Sequence, residues 1–189
     1  MLVDAGAMGA DEAWPVTGAV DRPLAATFDD FFADEYAGLV ALLTATTGAR
    51  AVAEELAQEA MLRAHQRWPR ISGYDQPGAW VRRVGLNLAS NSWARRRTER
   101  RTVERLAGEP VRPATTAQDG LDGIDFWALV RRLPPRQAAA VTLYYLEDRP
   151  VAEVAAILGC AEGTAKAHLH KGRAGLALLL DEPEADHGP

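Results

Sequence analysis

One segment near the end of the chain, residues 153–176 (EVAAILGCAEGTAKAHLHKGRAGL), contains lysine, histidine and threonine at helical spacing. Side chains of these types often contact nucleic acid in proteins. At 100° per residue, Ala165, Leu169, Gly172 and Leu176 share one stripe, which we expect to be buried. The opposite face is basic and sparsely covered, with Gly163, Lys166, Ala167, His170, Lys171 and Ala174, and Thr164 lies at the helix start. Lysine and threonine suit phosphate oxygens, and central outward residues can meet base edges. The face therefore predicts DNA binding, and a helical hairpin that only packs is the structural alternative.

A glycine separates this helix from a shorter one before it. Val154, Ala155, Ile157 and Leu158 form a short apolar stripe, and Gly159 follows directly. Glycine is the residue that most readily ends a helix in the left-handed conformation. A short helix, a tight turn and a basic second helix predict a helix-turn-helix whose second helix enters the major groove.

Other chemistries find less support in the sequence. Cys160, His168 and His170 have the spacing C-x7-H-x-H, which lacks a fourth ligand, and the two histidines point about 160° apart on a helix. Glu54, Glu55, Glu59 and His65 would need a matching Glu-x-x-His helix to form a carboxylate-bridged metal site. No P-loop, G-x-S-x-G or H-E-x-x-H motif is present. We therefore expect no enzyme activity, no metal and no cofactor.

The elements that position these residues are all predicted to be helices. Apolar spacing predicts helices over 28–43 and 49–68, and a third over 79–97 that starts near Pro77, with a turn at 44–48 and a loop at 69–78. Val52, Leu56 and Ala60 are the expected inward residues of the second helix, and Trp80 is expected in the core. Short helices follow over 124–133 and 134–148, before the helix-turn-helix. The predicted fold class is all-α.

A Pro/Gly/Thr-rich interval divides the helices into two small domains. The sequence AGEPVRPATTAQDGLDG at 107–123 has no periodicity and predicts a flexible linker. The predicted organisation is a mobile leader at 1–25, a helical domain at 26–106, the linker, a helix-turn-helix domain at 124–181 and an acidic tail at 182–189.

The charge of the chain is segregated, although the net charge is only −5. Residues 60–105 hold eleven arginines against Asp75, Glu99 and Glu104, whereas residues 1–35 and 181–189 are acidic. A basic middle predicts a polyanionic partner, and the acidic ends could restrain it electrostatically. The chain shows no signal peptide, no apolar run long enough for a membrane span, and one cysteine, which together predict a cytoplasmic protein without membrane contact.

Two motif blocks resemble a known family. The stretch LEDRPVAEVAAILGCAEGTAKAHLHKGRAGL is similar to region 4 of the extracytoplasmic-function group of bacterial RNA polymerase sigma factors. Residues 53–64, AEELAQEAMLRA, resemble the A-E-[DE]-L-x-Q-E-x-[FL]-x-[RK]-[AT] signature of sigma region 2, and PGAWVRRVGLNLASNSWARRR resembles the segment after it. The two blocks occur in the family's order on either side of the linker. The chain therefore resembles this family over both of its predicted domains.

The resemblance implies a role for each matching residue. The acidic face of the AEELAQE helix would dock on the clamp helices of the largest subunit of core RNA polymerase, through Glu54, Glu55, Gln58 and Glu59. The loop and helix after it would bind the −10 promoter region, with Tyr74, Arg82, Arg83, Asn87, Trp93, Arg95, Arg96 and Arg97 as candidates. The helix-turn-helix would bind the −35 region through Thr164, Lys166, Ala167, His170 and Lys171. Members of the family are commonly held by an anti-sigma protein, which is a further expected partner.

Two other functions stay open on the sequence. A stand-alone LuxR-type helix-turn-helix regulator ends in a similar E-x-A-x-x-L-x-x-x-x-GT-x-K-x-H-L pattern, and it would carry an α/β receiver in its N-terminal half. A helical carboxylate metalloprotein is the third hypothesis. The resemblance favours a sigma factor that binds core polymerase and directs promoter recognition and transcription initiation.

Overall fold

A computed structural model describes residues 27–107 and 126–181, with side chains at 27–92 and 126–181. These residues form eight α-helices and no strand, which confirms the all-α prediction. The expected leader at 1–25, the linker after Ala107 and the tail at 182–189 lie outside the described residues.

The first four helices form an N-terminal unit, residues 27–107. They are α1 (Phe28–Thr47), α2 (Arg50–Gln66), α3 (Trp68–Ile71) and α4 (Pro77–Ala107). Thr27 and Asp30 make a reciprocal capping box at the start of α1, which satisfies backbone N–H groups that the first turn leaves open. Gly48 ends α1 with a left-handed φ of 76°, so α2 can turn back along α1.

Three sequence-based boundaries in this unit were wrong. α1 continues to Thr47 instead of ending at the predicted turn from Thr44, because both threonine hydroxyls donate to carbonyls four residues back and remain within the helix. α2 ends at Gln66, before Pro69 as predicted, but the predicted loop from Pro69 begins with α3, because Pro69 lies in the first turn of that helix, where proline needs no N–H partner. α4 passes Arg97 and runs to Ala107 because residues 98–107 contain neither glycine nor proline.

The buried face of α2 also differs from the prediction. Its buried residues are Ala53, Ala57, Ala60, Met61 and Ala64, whereas Val52 and Leu56 are only partly buried. Alanines on the inner face let α2 approach its neighbours closely, so the larger side chains are displaced to the flank of the helix.

The last four helices form a C-terminal unit, residues 126–181. They are α5 (Phe126–Arg132), α6 (Pro135–Tyr145), α7 (Val151–Leu158) and α8 (Glu162–Asp181). Gly159 ends α7 with a left-handed φ of 66°, as the sequence predicts. The buried residues of α8 are Ala165, Leu169, Gly172 and Leu176, which confirms the predicted stripe. A Cβ at Gly172 would lie 2.7 Å from Val141 Cγ2, so this glycine permits close packing of α8 on α6.

The two units pack against each other around a shared hydrophobic core. α1 contacts α5 and α6, and α4 contacts α7. Leu39, Leu42 and Leu43 of α1 are fully buried in a core cluster that includes residues of both units. Burial of each such side chain contributes about 2 kcal/mol. The sequence predicts two domains but contains no signal for this interface between them.

Candidate nucleic-acid interface

The basic face of α8 is open to solvent. Every candidate residue on it is exposed: Thr164, Lys166, Ala167, His170 and Lys171. Lys166 Nζ lies 2.8 Å from Glu162 Oε1, but both side chains are more than half exposed. A pair this exposed is screened by water and is weak, so Lys166 can exchange Glu162 for a phosphate. The helix thus presents cations and a histidine on an exposed surface that also carries small residues, which are residue types that can contact a major groove.

The candidates for the −10 region are not equally accessible. Asn87 is exposed, Tyr74 is partly buried and Arg83 is half-buried, whereas Arg82 is only 5% exposed. Trp80 is 3% exposed, which confirms its predicted place in the core. Trp93, Arg95, Arg96 and Arg97 belong to α4, but their side chains lie outside those that the structure describes.

Arg82 is held between two carboxylates from different units. Its Nε donates to both Glu147 oxygens, at 2.9 and 2.8 Å, and its Nη1 donates to Glu35 Oε2 at 2.5 Å. The exposed fractions of the Glu35 and Glu147 side chains are 13% and 9%. Burial acts to lower the pKa of Arg82, but the charges of Glu147 and Glu35 outweigh it and leave this pKa raised. Arg82 therefore stays charged. Because Glu147 belongs to the loop between α6 and α7, its bonds to Arg82 join the two units.

Arg83, the next residue, meets the turn of the helix-turn-helix. A Cβ at Gly159 would overlap the Arg83 guanidinium, so the two are in close contact. The pKa of Arg83 is lowered, mainly by burial of its guanidinium and to a smaller extent by the like charge of Arg136. Burial raises the pKa of the neighbouring Cys160 thiol, although Arg136 and Arg83 act in the opposite direction. The turn that orients α8 therefore rests on the same α4 surface that carries the −10 candidates.

A cavity lies beside this contact, between the two units. Its volume is about 130 Å³, and its lining includes Arg83, Asn87, Arg131 and Arg136. The Arg136 Nη1 donates to the Leu158 carbonyl oxygen at 2.6 Å, at the end of α7. The interface between the units is thus incompletely packed and rich in arginine.

The acidic face of α2 lies apart from these contacts. Glu55 and Gln58 are exposed, and Glu54 and Glu59 are partly exposed. Arg50 and Arg63 pair with Glu54 and Glu59, each at 2.8 Å and one turn away. The face is accessible to a partner protein.

Sequence reasoning missed Glu35 and Glu147. Each is preceded or followed by another acid and resembles an ordinary surface residue in the sequence. Arg82 lies off the apolar stripe of its helix, so periodicity places it in solvent. A long-range ion network of this kind has no local spacing by which it could be recognised.

Neither a metal site nor a membrane span is found in the described part of the chain. No group of three or more His, Cys, Asp or Glu residues in 27–107 and 126–181 could hold a metal ion. None of the helices among these residues is long and apolar enough to cross a bilayer.

Comparison with known proteins identifies both units. Residues 31–99 match the family "Sigma-70 region 2", and residues 124–176 match "Sigma-70, region 4". The chain is 32% identical to the RNA polymerase sigma-E factor of Streptomyces coelicolor over 130 residues, covering 69% of this chain and 71% of the relative. It is 30% identical to the ECF RNA polymerase sigma factor SigM of Mycobacterium tuberculosis, covering 81% and 76% of the two chains.

The fold is also similar to a solved structure. The sigma factor RpoE of Bartonella quintana, crystallised in complex with the anti-sigma factor NepR, superposes with a TM-score of 0.62 at 24% identity, covering 81% of this chain and 96% of that one. An α/β receiver, which the response-regulator hypothesis requires, has no counterpart in residues 27–107, where the secondary structure is helical.

Proposed function

This chain belongs to the extracytoplasmic-function sigma factors, which direct promoter recognition and transcription initiation by RNA polymerase, and we propose that its two units divide the promoter between them. The N-terminal unit takes the −10 region and the C-terminal unit takes the −35 region. The observation that best supports this division is the solvent-exposed basic face of α8. This helix is the second of a helix-turn-helix, and all four residues of its predicted inner stripe are buried.

The C-terminal unit reads duplex DNA in this proposal. Thr164 and Lys166 bind phosphates at the start of α8, and Ala167, His170 and Lys171 face the bases. Histidine can donate to or accept from a base edge, whereas Ala167 offers only a methyl group for apolar contact. A face with so few hydrogen-bonding groups gives weak binding alone, so polymerase must supply the rest of the affinity.

The N-terminal unit captures the unwound strand of the −10 region. Stacking surfaces and cations are what single-stranded DNA requires. Tyr74 and Asn87 are the described candidates with an aromatic ring and an amide, and Arg82 and Arg83 supply charge. Trp93 and Arg95, Arg96 and Arg97 complete the proposed site from the continuation of α4.

Core polymerase binds the acidic face of α2, through the clamp helices of its largest subunit. Glu54, Glu55, Gln58 and Glu59 offer carboxylates and an amide to a basic partner surface. Charge complementarity of this kind increases association rates and fixes register more than it increases affinity.

The chain acts in the cytoplasm, where RNA polymerase works, and has no catalytic chemistry of its own in this proposal. An anti-sigma protein is the expected regulator, as the RpoE–NepR complex shows for a protein of similar fold. Affinity capture from the source organism with the tagged chain would recover such a partner.

Run-off transcription with purified core polymerase tests the proposed function. Promoter templates are obtained by mapping transcription start sites after overexpression of the chain. We expect transcripts that depend on the added chain, and no transcript from core polymerase alone. A chain that neither binds core polymerase in a pull-down nor supports any transcript would contradict the proposal.

A further inference from the structure

The proposed function assigns no ligand to the cavity between the two units. The volume of this cavity is about 130 Å³, and helices of both units line it. Leu86 of α4, Leu133 after α5 and Ile157 of α7 are among its apolar residues, and each of them is buried. An apolar cavity of about 150 Å³ holds one benzene ring. The volume and the apolar lining therefore suit one ring-sized group.

The charged side chains that line the cavity are basic. Among the described residues of the lining, Arg83, Arg131 and Arg136 are present and aspartate and glutamate are absent. Arg131 and Arg136 donate hydrogen bonds to the carbonyl oxygens of Ala45 and Leu158, at 3.4 and 2.6 Å. A carbonyl oxygen carries only a partial charge, so these bonds do not neutralise the guanidinium groups. A lining of one sign attracts a ligand of the opposite sign, which here is an anion.

Two of these arginines lie at the same end of α7. Arg136 bonds to the carbonyl of Leu158, the last residue of α7, and the Arg83 guanidinium contacts Gly159, the next residue. Burial lowers the pKa of Arg83, and the like charge of Arg136 lowers it further. An anion held by both guanidinium groups would offset this repulsion.

We propose that the cavity binds a small aromatic carboxylate, whose ring occupies the apolar part and whose carboxylate accepts hydrogen bonds from Arg136 and Arg83. Arginine binds a carboxylate through two parallel N–H groups, which fixes the orientation of the ligand. A carboxylate monoanion costs less to remove from water than a phosphate dianion, so it suits a partly apolar site better. This ligand site does not rest on the assignment of the −10 and −35 surfaces.

The alternative is that the arginines only stabilise the end of α7 and that the cavity is a packing gap filled by water. Cations near a helix C-terminus interact favourably with its carbonyl groups whether or not a ligand binds. A gap of this kind would not distinguish a carboxylate from an amide of the same shape. Discrimination between these two ligands therefore separates the proposal from the alternative.

Isothermal titration of the full-length chain with benzoate, benzamide, acetate and inorganic phosphate, at constant ionic strength, measures this discrimination. Benzamide keeps the ring without the charge, and acetate keeps the charge without the ring. We expect one benzoate per chain. Benzamide and acetate should each bind at least about tenfold more weakly, because a charge-assisted hydrogen bond and the burial of a ring each contribute about this factor or more. Phosphate should also bind more weakly than benzoate, since it brings no apolar group.

Two substitutions in the cavity wall assign the binding to this site. Arg136→Gln removes one guanidinium, and Arg132→Gln is its matched control, because Arg132 is exposed and lies outside the lining. Ala89→Leu fills the cavity from α4, and Ala51→Leu, on the exposed first turn of α2, is its control. We expect Arg136→Gln to weaken benzoate binding at least about tenfold and Ala89→Leu to abolish it. Both controls should bind benzoate as the parent chain does.

Circular dichroism verifies that each variant keeps the helix content of the parent chain, and if Arg136→Gln loses it, the comparison of Ala89→Leu with Ala51→Leu decides. Three results would each overturn the proposal: no benzoate binding at millimolar concentration, equal binding of benzoate and either benzamide or phosphate, or equal benzoate affinity in the Ala89→Leu and Ala51→Leu variants. A chain that binds benzoate but neither binds core polymerase nor supports transcription contradicts the proposed function alone.

Discussion

Arg82 of α4 and Glu147 of the α6–α7 loop form an ion pair across the two units, with Arg82 Nε 2.9 and 2.8 Å from the two carboxylate oxygens. Glu35 binds the same guanidinium from the other side. Arg82→Ala would leave two largely buried carboxylates without the cation that they share, and Glu147 would keep a longer 3.4 Å contact with Arg149. We expect a loss of about 3–5 kcal/mol in the free energy of unfolding, measured in urea, since uncompensated buried charge is strongly destabilising.

Arg50→Ala is the control for this measurement. Arg50 pairs with Glu54 at the same 2.8 Å spacing, but both side chains are well exposed. An exposed pair is worth less than about 1 kcal/mol. Equal losses from Arg82→Ala and Arg50→Ala would show that the buried network contributes nothing specific.

Gly159→Ala should destabilise the chain and disturb the contact between units. Its left-handed φ of 66° costs an alanine about 1–2 kcal/mol, and the added Cβ would overlap Arg83. Gly163→Ala is the matched control, because a Cβ there would have no atom within 4 Å apart from its chain neighbours and the nearby backbone of its own helix. Thermal unfolding of both variants checks the prediction, and a Gly159→Ala midpoint equal to that of Gly163→Ala would contradict it.

The parts of this fold that the sequence predicts correctly are those that depend on local patterns. The α8 stripe and the Gly159 turn were predicted correctly, because helical spacing and left-handed glycine are properties of neighbouring residues. The end of α1 was predicted too early. The hydroxyls of Thr44 and Thr47 donate hydrogen bonds to backbone carbonyls one turn earlier, so both threonines remain within the helix.

Long-range contacts explain what the sequence could not predict. Glu35 and Arg82 are 47 residues apart, and Arg82 and Glu147 are 65 residues apart. Each looks like a solvent-exposed charge in its own segment, and only the packing of the two units brings them together. The candidate DNA residues were therefore selected by type and motif, while the covering of Arg82 required the structure.

Glu55→Lys should weaken binding to core polymerase. Glu55 is exposed on the acidic face of α2, and a like charge against a basic partner surface costs several kcal/mol, so we expect at least about a tenfold weaker Kd. Asp29→Lys makes the same charge change on the exposed first turn of α1 and should leave binding nearly unchanged. Equal affinity of the two variants in a titration against core polymerase would contradict the assigned face.

Two substitutions on α8 should affect promoter binding differently. Lys166→Ala should weaken binding to all duplexes and reduce the magnitude of the log–log salt slope by about 0.9, because one phosphate contact is lost. His170→Ala should change the preference among −35 sequences with little change in salt slope. Both are measured with the polymerase-bound chain on a set of duplexes that vary at −35. A Lys166→Ala variant with an unchanged salt slope would argue against a phosphate contact there.

Cys160 should react with thiol reagents at a higher pH than an exposed thiol does. Burial disfavours the thiolate and raises the pKa of Cys160, although Arg136 and Arg83 act against this. Because only the thiolate reacts, the labelling rate of the folded chain should rise through a midpoint above that of the same chain in urea. Glu147→Lys should move this midpoint down towards the value in urea, since loss of the Arg82–Glu147 pair weakens the contact between units that covers the thiol. Stopped-flow labelling between pH 7 and about 10 checks both shifts, and a folded-state midpoint at or below the value in urea would contradict the burial of Cys160 at this interface.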